Sequence, residues 1–292
     1  MTTLARPNLG TPGPAPLRLI RSEFVKIRTT NAWWLFILGA LALLALAFLF
    51  NAIGAHFTLK EPTPPGLTPE QTAELEAARN VVLQAANLYT SGQFFGVMFV
   101  MLFGIVLVTN EFHHQTATTT FLTTPHRTAV ILAKLVAATV FGAGLWLVTT
   151  AITIPATMIF LEAEGFSSHF GDWLITRAIL LNLLAYVLWG VLGLGIGVLI
   201  RSQIAATIIS VVVYMAGTVA AGLIFEPLAS LFKQDWIADL QWGVPSIASM
   251  LLVSAGDLPG APPWWVGAVV LLGYALVAGV IGILITRRRD IA

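Results

Sequence analysis

The chain has 292 residues, of which 57% are hydrophobic and only 10% charged, with a formal net charge of +1 and no cysteine. A soluble domain carries about 25% charged residues, so water is not the principal solvent of this chain. The near-neutral balance offers no electrostatic footprint for nucleic acid, and the missing cysteines exclude disulfides and thiolate metal sites.

Residues 1–16, rich in Pro and Gly, read as a disordered tail. They lack the apolar core of a cleavable signal, so the first span is expected to stay as an anchor. Residues 17–30 read as an amphipathic helix in the headgroup plane. Leu17, Ile20, Phe24 and Ile27 fall on one face, with Arg18, Arg21 and Arg28 elsewhere.

A transmembrane domain over 31–286 follows. Its apolar stretches are 32–53, 89–108, 135–161, 178–200, 204–225 and 264–285. At 1.5 Å per residue each can cross a hydrocarbon layer of about 30 Å. The predicted fold class is therefore an all-α integral membrane protein with six transmembrane helices.

The connections carry their own signals. Between the first two spans, Thr68, Pro69 and Gln71 supply an N-cap, a first-turn proline and a capping-box glutamine. They predict an external helix over 68–88 that runs on into the second span. The 110–134 loop is rich in Thr and His and is the longest internal connection. Arg201, Ser202 and Gln203 leave almost no loop between spans four and five. Segment 226–263 holds the remaining external mass. Within it, 240–256 is uncharged but short, and Gly243 and Pro245 interrupt it. It reads as a re-entrant or interfacial helical pair before the last span. Residues 287–292 form a basic tail.

Charge orients this arrangement. All but four of the 15 Lys and Arg (Lys60, Arg79, Arg177 and Lys233) fall on one side, with both termini. Of the 14 acids only Glu23, Glu111 and Asp290 join them there. The basic side is expected to be cytoplasmic, so both ends lie inside. Trp33, Trp34, Trp173, Trp264 and Trp265 sit near span ends, as interfacial belts require.

The internal loop carries the most distinctive pattern. It reads Asn110, Glu111, Phe112, His113, His114, Gln115, then a Thr-rich run from Thr116 through Thr119 to Phe121 and Leu122, then Thr124, Pro125, His126, Arg127, with Lys134 beyond. This resembles the first cytoplasmic loop of ABC type-2 exporter permeases, and the preceding amphipathic helix and six spans extend the resemblance over most of the chain. Actinobacterial-type relatives have Arg where His113 stands and Gly where Gln115 stands.

The resemblance implies that the loop is a coupling helix docking into an ATPase subunit. Glu111, His113, His114, Thr116, Thr119, Pro125 and Arg127 would make that contact, with Arg201, Ser202 and Gln203 as a second internal turn. Independently of the family, Glu111 near a helix start favours its dipole and Pro125 terminates or re-aims the helix. A metal at the three histidines is disfavoured, because adjacent positions on a helix diverge by about 100°. Arg177 is expected to snorkel to the outer interface and Asn182 to bond across helices. Gly190, Gly193, Gly195 and Gly197 give span four a small-residue face suited to close packing within the chain.

No Lys follows a Gly, so a P-loop is absent, and an ATP-driven transporter built on this chain would need another chain as its engine. The family resemblance implies two ATPase subunits, with ATP and magnesium bound there and no cofactor in this chain. It also implies a second permease subunit, a homodimer being favoured, in contact with membrane lipid and not with nucleic acid. The expected function is ATP-driven outward movement of an amphipathic or lipid-like compound (drug, natural product or lipid, as in multidrug efflux) across a bacterial plasma membrane. A non-transporting anchor and an ion-gradient transporter are the rivals. The latter needs mid-membrane acids or histidines, and the spans contain none.

Overall fold

The computed structural model describes residues 16–30, 32–114, 127–200, 202–234, 236–256 and 260–288, and among these there is no strand. The helices are α1 (Pro16–Thr29), α2 (Ala32–Lys60), α3 (Pro69–Ala78), α4 (Val81–Tyr89), α5 (Gln93–His113), α6 (Arg127–Ala163), α7 (Trp173–Leu199), α8 (Gln203–Ala220), α9 (Glu226–Phe232), α10 (Trp236–Asp239), α11 (Pro245–Leu252) and α12 (Trp264–Arg288). A wide π turn, Ala221–Phe225, carries α8 into α9.

Six of the described segments are long and apolar enough to cross a membrane: Trp33–Lys60, Val81–His113, Thr128–Ala163, Trp173–Leu199, Gln203–Phe232 and Trp264–Ile285. The six-span expectation is met. The eight residues of α11 rise only about 12 Å, too little to cross. Instead α11 is seated by polar contacts near one end of the bundle. Gln93 Nε2 donates to Ser249 O (2.6 Å) and Oγ (3.0 Å), Trp189 Nε1 donates to Ser249 Oγ (3.2 Å), and Thr218 donates to Ser246 Oγ (2.6 Å). In an apolar medium such groups need partners inside the protein.

The packed centre is α5 against α7. Glycine makes this contact possible. A Cβ on Gly193 would stand 2.0 Å from Met101 O, and one on Gly195 would stand 2.5 Å from Ala278 Cβ of α12. The small-residue face is thus consumed within the chain, where the backbones of α5, α7 and α12 approach. By contrast α2, α8 and α12 present rows of exposed apolar side chains, Leu35, Leu38, Val212, Val213 and Leu276 among them.

One expectation of helix continuity needs correction. The external helix does not run unbroken from 68 into the second span. Thr68 caps α3 with the anticipated capping box, but Arg79 and Asn80 leave the helix. Asn80, extended at ψ 114°, then accepts from Val82 N and starts α4, a role asparagine fills better than a helix interior. A second turn at Thr90 to Gly92 separates α4 from α5. Arg177 is held by contacts that the sequence did not indicate. Its Nη2 donates to Ser254 O at 3.0 Å and its guanidinium lies 5.2 Å from the Trp264 ring centroid, tying α7 to the α11–α12 connection. Asn182 is buried, and its Oδ1 has no hydrogen-bond partner among the described residues.

Candidate functional site

The internal loop has its two flanks fixed by α5 and α6. Helix α5 extends to His113 and α6 begins at Arg127, so both ends of the expected 110–134 loop are helical. Glu111 sits in the last turn of α5 and not near a helix start as expected, so it makes no favourable contact with that helix's dipole, and Lys134 lies two turns into α6. Helix α1 lies across both flanks, and the three helices meet at four charges.

These charges form a closed, alternating ring. Lys134 Nζ lies 2.8 Å from Glu23 Oε2 and 2.8 Å from Glu111 Oε1. Lys26 Nζ lies 2.8 Å from Glu23 Oε1 and 2.7 Å from Glu111 Oε1. Each acid therefore bridges two ammonium groups and each ammonium bridges two acids. Lys134 also donates to Leu107 O at 3.1 Å. Its side chain is only 3% exposed, whereas that of Lys26 is 43% exposed. Burial pulls the Lys26 ammonium down, but hydrogen bonds to Glu111 and Glu23 outweigh it and hold Lys26 above its ordinary pKa. A buried charge stripped of its partner costs about 3–5 kcal/mol, so the ring holds three helices together by the penalty for opening it.

Local sequence explains how α1 reaches this position. Ile20, Phe24 and Ile27 are half-buried against the bundle, and Glu23 is buried among them. Leu17, assigned to the same face, is instead 78% exposed. Lys26 and Arg28 occupy the last turn of α1, where cations favour the helix dipole. A narrow cleft of about 250 Å³ remains between α1 and the ends of α5 and α6, lined by Ile27, Thr30, Phe103, Asn110, His114 and the ring.

The anticipated contact residues separate into three groups. Glu111 faces inward and is engaged by Lys26 and Lys134, so it braces the loop. His113 and His114 are exposed at the end of α5, their rings edge to face with centroids 5.0 Å apart. Thr116, Thr119, Pro125 and the side chain of Arg127 lie outside the described residues. At the second internal turn Arg201 also lies outside them. Ser202 Oγ accepts from Ala205 N at 3.4 Å and caps α8, whose first residue is Gln203. Span alternation puts both the α5–α6 and the α7–α8 connections at the end of the bundle that carries α1.

Sequence reasoning missed Glu23 and Lys134 as partners. A signal existed for each. Glu23 interrupts the apolar stripe of α1 between Ile20 and Phe24, and Lys134 is a lone charge entering an apolar run; both positions demand a partner.

Comparison with known families adds one finding. A family model described as ABC-2 family transporter protein matches residues 19–217, which spans α1 through most of α8. No curated protein matches the chain.

Proposed function

Because the chain belongs to the ABC-2 transporter family, whose members are membrane permease subunits served by an ABC ATPase, we propose that it is the permease of an ATP-driven exporter. The ATPase is a separate chain that binds ATP and magnesium. Two copies of this permease pair in the bacterial plasma membrane, both ends of each facing the cytoplasm, with two ATPase subunits below them. The substrate is an amphipathic or lipid-like compound moved outward.

One structural observation supports the coupling role: the four-charge ring at the base of the 115–126 loop. An ATPase seated on that loop, through His113, His114, Thr116, Thr119, Pro125 and Arg127, pushes on two helix ends at once. The ring carries the same displacement into α1, and α1 leads directly into α2. The turn at Arg201, Ser202 and Gln203 gives the ATPase a second point of contact on α7 and α8. Rigid helices joined by closed ion pairs transmit force better than a free polar loop does.

Deleting Thr116 to Thr124 tests this reading. The tagged wild-type chain is expected to co-purify with a P-loop ATPase; the deleted chain is expected to insert normally and lose it. Retention of the full complex would sink the docking role. A reconstituted pair whose ATPase rate rises with a transported amphiphile separates an exporter from a passive anchor.

A further inference from the structure

A large apolar groove lies far from the ring, at the other end of α2. Over its middle, α2 stands away from α6 and leaves a groove of about 1010 Å³, walled by Leu41, Phe48, Phe57, Ile152, Ala156 and Phe160. That volume is at the upper limit of the range for small-molecule sites, about 300–1,000 Å³. The groove ends at two polar side chains, His56 of α2 and Glu164 just past α6. His56 Nδ1 is 3.0 Å from Glu164 Oε1, and Lys60 Nζ binds Glu164 Oε2 from outside the groove.

We infer that this groove binds a cationic amphiphile, an apolar chain ending in a protonated amine, with Glu164 receiving the amine. The inference rests on the exporter reading for its transport role and narrows the substrate class of that reading; binding itself does not depend on it.

The argument is charge complementarity at a defined end. Lipid chains can cover any apolar face, but among the described residues Glu164 is the one carboxylate lining this groove. Its side chain is 15% exposed, whereas those of its partners Lys60 and His56 are 45% and 44% exposed. Lys60 and then His56 hold the carboxyl below the usual carboxylate range, so it presents a charge. Both partners sit at the rim and can swing to water, leaving acceptor positions open. An incoming ammonium forms a charge-assisted hydrogen bond there, and its chain fills the apolar walls. A neutral head offers no such bond.

Binding of tritiated hexadecylamine to the full-length chain in phosphatidylcholine nanodiscs, competed by unlabelled hexadecylamine, hexadecanol and hexadecanoate, tests the site. The amine is expected to compete at least tenfold better than either chain-matched rival. Glu164→Gln should abolish that advantage. Lys60→Met removes the competing cation and should tighten the amine severalfold. Simple loss of fold would weaken binding in both variants, so opposite signs distinguish a head-group site from a structural cluster. Ala156→Phe narrows the groove and should weaken all three ligands.

Equal competition by amine and alcohol would mean that lipid chains fill the groove without selection, and would overturn the inference. So would stronger competition by the carboxylate, or unchanged binding in Ala156→Phe. Absence of amine binding, with disulfide formation between Phe57→Cys copies, would assign the groove to a second copy of the chain and overturn it too. The assay contains no ATPase, so its failure leaves the coupling reading standing, and failure of co-purification leaves the binding result standing.

Discussion

The arm formed by α1 and α2 is held at each end by an ion cluster, and the two clusters are built differently. Among the described residues the inner one has four charges, two of each sign, closed into a ring with Lys134 3% exposed. The outer one has a single carboxylate between two half-exposed bases, open to a groove of about 1010 Å³. A closed buried ring has a high cost of opening, which suits a mechanical joint. An open cluster at a rim is cheap to rearrange, which suits a site that admits a ligand.

The largest expected effect tests the inner joint. Lys134→Met takes the buried ammonium away from Glu23 and Glu111 and is expected to cost about 3–5 kcal/mol, read as a lowered thermal unfolding midpoint in detergent. A loss under about 1 kcal/mol would mean that water reaches the ring and that the contrast with the outer cluster is false.

Ring closure is tested next by charge exchange. In an isolated ion pair, reversing both partners restores the attraction. Here Glu111→Lys combined with Lys134→Glu would set the new carboxylate at position 134 beside Glu23 and the new ammonium at position 111 beside Lys26. The double variant should therefore remain as unstable as the worse single one. Rescue to the wild-type midpoint would reduce the ring to independent pairs. Lys26→Met should fall below Lys134→Met in effect, because its ammonium is already partly solvated.

A smaller effect should appear at the outer end. Glu164→Gln is expected to leave the unfolding midpoint unchanged while altering ligand selection. A midpoint shift as large as that of Lys134→Met would make the outer cluster a second joint. The chain has no native cysteine, so paired spin labels can be placed freely. Labels at Phe57→Cys and Phe160→Cys, across the groove, should change separation when hexadecylamine is added. Labels at Ile27→Cys and Val106→Cys, across the inner cleft, should not.

Much of this architecture was legible in the sequence because hydropathy and length are local properties. Six spans, the capping box at Thr68 and the non-crossing 240–256 segment each follow from a short window of residues. The ring was half legible. Only three acids fall on the basic side, and two of them, Glu23 and Glu111, are its carboxylates. Charge counting read them as topology, because the partners are 111 and 23 residues from Lys134 and no periodicity links them. The partners of Arg177, Ser254 and Trp264, were hidden for the same reason: they come from a distant segment. The breaks at Asn80 and at Thr90 to Gly92 were missed because Leu75, Ala78, Val82, Ala85 and Tyr89 keep helical spacing across the first break. The expected contact residues 115–126 gain nothing from the described structure, whereas their flanks are now defined.

The length of α2 has a consequence of its own. Its 29 residues rise about 43 Å, well beyond a hydrocarbon core of about 30 Å. The apolar part of α2, 32–53, rises only about 33 Å and matches that core, so its last turns, with His56 and Lys60, stand in the headgroup layer. The polar end of the groove is thereby set at the depth where lipid headgroups lie, and an amphiphile reaches it sideways from within the leaflet rather than from water.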